Sequence, residues 1–297
     1  MADSVYDASL DAVTVSQIMS TDVQSNVAVF NGRYSGGLAP QHVSVLSGEP
    51  RVVCKTGDIV TLLTGVGTLS SGLSVGGYGG GLFPWNERTA GGTFDSTSKT
   101  ISSTQGFAYV QSIDAQQDSE EGATATFEYI PTWDGSTLPL VVNTGVTLAG
   151  QSFVSAFGLG PVKIGSTAIP GITGVSIKPG ITVTVKRYQG DIFTSACYVT
   201  KLDPQFVLTF EDSASMYAFT AMYSAIASNA IIYLRKRTAG GTYVSNATTT
   251  NLSFTLTGGM TVTDSVSGSN QDNSQKQITI HGKSLAYSTA TAITPGS

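Results

Sequence analysis

The chain is poor in the residues that carry chemistry. Of 297 residues only two are cysteine, Cys54 and Cys197, and two are histidine, His42 and His281. Two thiols exclude a disulfide framework and a thiol-rich zinc site, and each is expected to be a small core residue of a strand. The histidines lie more than 200 residues apart and support no shared metal or catalytic site. Charged residues make up 12% of the chain, where about a quarter is usual, and the net charge is −5 with a pI near 4.9. That balance argues against a protein that grips phosphates through a basic face. No apolar run reaches the roughly 18 residues that a membrane helix needs. Met1 to Asp7 show no basic region leading into an apolar one, so no secretory signal is expected.

Catalytic and binding motifs are missing as well. No Gly-x-Ser-x-Gly elbow occurs. The glycine-rich run Ser70 to Leu82 lacks the Lys-Ser/Thr that completes a phosphate loop. It reads instead as a surface loop that orders against a neighbouring subunit. The acidic stretch Asp114, Asp118, Glu120, Glu121 lacks the ligand pattern of a calcium loop. Asn246-Ala-Thr and Asn251-Leu-Ser match a glycosylation pattern that has no meaning without export. Trp85 and Trp133 are isolated, so no carboxylate pair beside aromatics can be named for a glycosidase. The reading nominates no catalytic residue, no cofactor and no metal ligand.

What the chain has in excess is itself. Arg88-Thr-Ala-Gly-Gly-Thr93 returns as Arg237-Thr-Ala-Gly-Gly-Thr242, each followed by an aromatic, Phe94 or Tyr243. Gly36 matches Gly190, Glu49-Pro50 matches Asp203-Pro204, Asp58 matches Asp212, and Gly106 matches Gly259. A duplication of this length is an architectural signal. It implies two tandem domains, 1–150 with its linker and 151–297. The two cysteines are not mates under this alignment: Cys54 faces Leu208 and Cys197 faces Val43.

Most segments alternate with period two between Gly, Pro, Asn and Asp. Ile181 to Val185, Phe206 to Phe210, Leu252 to Leu256 and Gln277 to His281 do so. So do their counterparts His42 to Leu46, Arg51 to Cys54, Phe107 to Ile113 and Ala125 to Tyr129. A mainly β protein follows, with sandwich or half-barrel domains and one short flanking helix each. Ile59, Leu62, Leu63 and Val66 behind Asp58 give the first helical stripe, and Met216, Phe219, Tyr223 and Ile226 behind Asp212 or Ser213 give the second. Pro131 to Pro139 reads as a turn-bearing linker, and Leu285 to Ser297 as an extended or frayed tail.

Ala230-Ile-Ile-Tyr-Leu-Arg-Lys-Arg-Thr-Ala-Gly-Gly-Thr242 resembles the strand and turn after the helix in phage major tail (tail tube) proteins. Gly160 to Gly165, Ile172 to Ile177 and Pro179 to Val185 look like the opening strands of that domain, and Tyr129 to Gly135 like the segment leaving it. The resemblance spans most of both copies. It implies stacked rings whose inner wall is a continuous β-barrel, with three two-domain chains per pseudo-hexameric ring. It also implies partners: other copies of the chain, tape-measure, tail-tip and tail-completion proteins, and genomic DNA passing without specific binding. The site would be the virion tail, assembled in the host bacterial cytoplasm, with no membrane and no enzymatic activity.

Candidate assembly contacts are then Arg88 and Arg237, read as inter-subunit salt-bridge partners, with Asp114, Asp118, Glu120, Glu121 and Asp272 in the long hairpin loops. Candidate lumen residues are Gln111, Thr126, Glu128, Thr261, Thr263, Gln277 and Thr279, mostly uncharged or acidic as sliding DNA requires. Other readings stay open: another virion or capsid decoration protein, or a tandem β-domain surface adhesin.

Overall fold

Alternation decides most of the structure. The computed structural model of the chain describes residues 3–5, 7–11, 13–33, 39–40, 42–65, 77–87, 98–145, 155–211, 223–226, 228–238, 240–267 and 275–294. The first half holds β1 (Asp3–Val5), β2 (Ala8–Leu10), β3 (Val13–Val15), β4 (Ile18–Gln24), β5 (Val27–Gly32), β6 (His42–Gly48) and β7 (Arg51–Thr56). Then come α1 (Ile59–Gly65), β8 (Gly77–Glu87), β9 (Lys99–Gln116), β10 (Thr124–Pro131) and the linker strand β11 (Val141–Thr144). The second half holds β12 (Phe157–Ile164), β13 (Thr167–Ile169), β14 (Ile172–Lys178), β15 (Ile181–Lys186), β16 (Ala196–Leu202) and β17 (Gln205–Phe210). It ends with β18 (Tyr223–Ile226), β19 (Ala230–Lys236), β20 (Asn251–Ser267) and β21 (Gln275–Thr291). The protein is mainly β and antiparallel throughout its named pairings.

The duplication is written into the strand register. Asp3 opposite Glu87 becomes Phe157 opposite Lys236, and Leu10 opposite Gly81 becomes Ile164 opposite Ala230. Phe83 opposite Ile101 becomes Ile232 opposite Phe254. Phe127 opposite Val110 becomes Ile278 opposite Thr263, and Pro131 opposite Gly106 becomes Gly282 opposite Gly259. Even the bulges repeat: Gln111 and Asp264 are the extra residues of β9 and β20, Met19 and Thr173 of β4 and β14, and Leu46 and Thr200 of β6 and β16. A bulge inserts one unpaired residue and bends its strand. Three such bulges recur at matched positions of the two halves.

One face of each sheet packs inward. β7 buries Val52, Cys54 and Thr56, and its mate β17 buries Phe206, Leu208 and Phe210, every second residue in both. Phe127, Tyr129, Ile113, Ile278, Ile280, Phe254 and Leu256 join the same core. In α1, Ile59, Leu62 and Leu63 face that core. The buried Asp58 caps it: Oδ1 accepts the Thr61 N–H at 3.2 Å, and Oδ2 accepts the Ser16 N–H at 3.1 Å.

Three expectations are corrected. Tyr223 and Ile226 do not belong to a helical stripe, because Tyr223–Ile226 is strand β18, paired with Met260 and its neighbours. Met216 and Phe219 lie outside the described residues, as does Val66. The supposed tail from Leu285 is the far half of β21, paired with β20 up to Thr291 opposite Asn251. Tyr287 there donates to the Leu63 carbonyl at 2.8 Å and ties the last strand to α1. His281 consequently sits in mid-strand rather than at a strand end. Finally, the strand read at Leu252 to Leu256 does not stop there but runs on to Ser267, because Gly258 and Gly259 take φ of 57° and 142° and let β20 bend without ending.

Candidate assembly interface

The two halves meet edge to edge. The end of β9 pairs with β14: Ile113 stands opposite Ile177, Asp114 opposite Ser176, Ala115 opposite Val175 and Gln116 opposite Gly174. Two further backbone bonds extend the seam, Gln117 N–H to the Thr173 carbonyl and Ala123 N–H to the Phe157 carbonyl, both 2.7 Å. Both halves thereby belong to one continuous sheet of 17 strands. The sheet edge of the first repeat is satisfied by the second, as strand addition does between separate chains.

Above that seam the β15–β16 hairpin of the second half lies on the outer face of the first. Cys197, with Ile181, Val183, Val185 and Val199, packs on Phe107, Tyr109 and Ile130 in a small second core. Beside it the buried Glu128 carboxylate accepts from the Tyr109 hydroxyl at 2.6 Å, from Gln111 and from Arg51. Burial, then the adjacent Glu128, pushes the Tyr109 phenol well above its ordinary range. Burial also raises the Cys197 thiol to about 11 and the Cys54 thiol to about 12, which leaves both un-ionised and unreactive. Both behave as the small core residues expected, without a disulfide.

The loop between β15 and β16 completes the contact. Gly48 N–H donates to the Ile192 carbonyl at 3.0 Å, and Trp133 N–H to the Thr194 carbonyl at 2.7 Å. The Phe193 ring meets Trp133 edge-on at 6.3 Å. Gly48 must be bare there, because a Cβ would come within 2.6 Å of the Phe193 ring.

The residues singled out from sequence scatter over this frame. Asp114 lies in the seam itself, opposite Ser176, and accepts from the Ser112 hydroxyl at 2.6 Å. Asp118 takes a positive φ of 60° in the exposed turn beyond it. Glu120 is exposed, and Glu121 pairs with Lys55 at 2.6 Å. Arg237 is engaged within the chain, donating to the Tyr243 hydroxyl at 3.1 Å with its guanidinium 5.2 Å from that ring. Arg235 stacks on the same ring at 4.7 Å. Arg88 and Asp272 lie outside the described residues, as does 70–76 of the glycine-rich run; the rest of that run, Gly77 to Leu82, is corrected from a surface loop to the start of strand β8, paired with β9.

The lumen candidates do not share a face. Gln111, Thr126, Glu128, Gln277 and Thr279 stand on the outer face. Thr261 and Thr263 stand on the core face, directly across from Ile280 and Ile278. One lumen surface can therefore take only one of the two sets. Glu128 is spoken for by its three donors and Thr261 donates to the Ser224 carbonyl at 3.1 Å, while Gln277 is exposed. Of the residues that form the second core beside the seam, Phe107, Tyr109 and Ile130 were not singled out in advance, and Cys197 only as a small core residue. Their one sequence signal was the mismatch of Cys197 with Val43.

No group of three or more metal-ligating side chains gathers among the described residues, and none of their helices is long and apolar enough to cross a membrane. A cavity of about 420 Å³ between the halves is lined by Asp58, Thr61, Ser155, Phe157 and Lys236 among others. No protein-family model matches the chain, and no curated protein matches it.

Proposed function

We propose that the chain is a virion structural protein that builds the tail tube of a tailed bacteriophage, a stacked-ring conduit through which DNA is delivered. Three chains close into a pseudo-hexameric ring of six similar β units, and rings stack. Tape-measure, tail-tip and tail-completion proteins are the partners this role requires, and DNA passes without being gripped. The chain performs no catalysis in this role.

One observation carries the reading. The two repeats join through the β9–β14 seam, and among the described residues the repeat-mates of those strands, near opposite ends of the sequence, have an edge without a partner strand. The mate of β14 is β4, which pairs with β7 along one edge, and no strand among the described residues pairs with its other edge. The mate of the β9 end is the β20 end, where, among the described residues, Val266 and Ser267 pair only with β21. Copying the seam onto a neighbour sets Val23 opposite Val266 and Asp22 opposite Ser267. Each chain then offers one edge and receives another, a heterologous contact that closes into a ring or runs on as a fibre. The acidic, charge-poor composition suits a wall that DNA must pass.

Negative-stain electron microscopy of the purified chain, with its mass in solution, tests this. Hollow stacked rings or trimers with a central hole are expected. Solid fibres, or a chain that stays monomeric even when a tail-tip complex is supplied, would send the reading to a decoration or adhesin module.

A further inference from the structure

The two small hairpins are repeat-mates in very different surroundings. β15–β16 is docked on the other half of its own chain, while no described residues cover β5–β6 in that way. Four of the five residues on the apolar face of the first have an apolar mate, Ile181 in Val27, Val183 in Val29, Cys197 in Val43 and Val199 in Val45, while Val185 maps onto Asn31. Cys197 is 1% exposed, whereas Val43 is 62% exposed, with Val29 at 51%, Val45 at 42% and Val27 at 39%. Four valines on one face of a two-stranded ribbon are far more apolar surface than such a hairpin needs to show water.

The receiving surface has a mate as well. Phe107, Tyr109 and Ile130 map onto Met260, Val262 and His281 on β20 and β21. Phe107 is 6% exposed and Met260 is 45% exposed. A size exchange in the connecting loop supports the match. Within the chain a large Phe193 meets a bare Gly48; their mates are a small Ala39 and a large Leu202, itself 42% exposed. Small against large is kept, with the partners reversed.

We infer that the β5–β6 hairpin of one chain docks on the Met260, Val262 and His281 face of a second copy, covering it as β15–β16 covers Phe107, Tyr109 and Ile130. Leu202 of the receiving copy then meets Ala39 of the donor. The inference deepens the self-assembly reading above and rests on it only in taking another copy of this chain as the occupant. The hairpin face and the strand edge of β4 point to the same neighbour, because both derive from the same seam.

Two measurements test it on the full chain. A Val43→Cys chain mixed with a Met260→Cys chain under mild oxidant should give a disulfide-linked heterodimer on a non-reducing gel, with the buried Cys54 and Cys197 of the unaltered chain giving none. Val45→Asp should keep the urea midpoint of the isolated chain, since Val45 is already half in water there. It should weaken self-association by at least about tenfold, because the charge would be buried on docking. Assembly without the Val43–Met260 disulfide, assembly untouched by Val45→Asp, or an unaltered chain with no self-association at any concentration would each overturn the inference. A disulfide with no ring or tube by microscopy would sustain the docking and remove the tail-tube reading instead.

Discussion

Phe107→Ala and Met260→Ala delete large side chains at the same place in the two repeats, and their costs should differ several-fold. Phe107 is almost fully covered by the β15–β16 hairpin, while 45% of Met260 is open to solvent. Truncating a buried Phe to Ala costs about 3–5 kcal/mol, through lost transfer energy and the cavity left behind. Fully burying a Met side chain is worth roughly 1.5–3 kcal/mol, so one that is half open should cost only about 1 kcal/mol to remove. In a chain of this size each kcal/mol moves the melting temperature by roughly 2–4 °C. Phe107→Ala should therefore melt on the order of 10 °C below the unaltered protein and Met260→Ala only a few degrees below it. Urea unfolding of the isolated chain at low concentration gives the cleaner comparison, read as the shift in midpoint at constant slope. Equal losses at the two positions would refute the reasoning. They would mean that the second repeat already covers its own outer face, leaving nothing for a neighbour to bury.

Other outcomes follow from the same packing. Gly259→Ala should destabilise by at least about 2 kcal/mol, since its φ of 142° is open only to glycine and a Cβ would overlap the His281 carbonyl; its mate Gly106→Ala should also lose stability by pushing on Tyr129, both read by thermal melting. Asp58→Ala should cost about 1–2 kcal/mol by uncapping α1 and orphaning the Ser16 N–H, seen as a lower urea midpoint. Burial holds the Cys54 thiol near 12, the Cys197 thiol near 11 and the Tyr129 phenol near 12, above ordinary values of 9.0, 9.0 and 10.0. Above about pH 9 the unfolded chain sheds protons that the native one keeps. Stability is thus whole below that pH and falls as pH rises, by about 1.4 kcal/mol per unit for each such group while it lasts; urea midpoints between neutral and alkaline pH would show it, and a flat profile would contradict it. Iodoacetamide at mildly alkaline pH should label neither thiol until denaturant is added.

Much of the fold is legible because it rests on local pattern. Period-two alternation marks β7 and β17, the stripe behind Asp58 marks α1, and paired glycines and the Cys197–Val43 mismatch align the repeats. What escapes the sequence is what a distant partner decides. Tyr223 and Ile226 fit a helical spacing, but β20 recruits them as a strand. Leu285 to Thr291 look like part of a frayed tail because nothing local shows that Asn251 to Leu256 will pair with them. Gly258-Gly259 reads as a break, whereas its positive φ values carry the strand round a bend. The lumen list mixes the two faces of the sheet, because the period of two alone does not say which residue of β20 will stand across from which residue of β21. Thr126 and Glu128 have Gln277 and Thr279 as mates, while the mates of Thr261 and Thr263 are the core residues Ala108 and Val110.

Electron cryo-microscopy of the self-assembled chain, at a resolution that separates strands, tests the central claim most directly. Three chains should close a ring with six similar junctions, three of them the β9–β14 seam and three its copy, with Val23 opposite Val266 and the β5–β6 hairpin over Met260. Rings joined through other edges, or a between-chain junction unlike the seam within the chain, would contradict it.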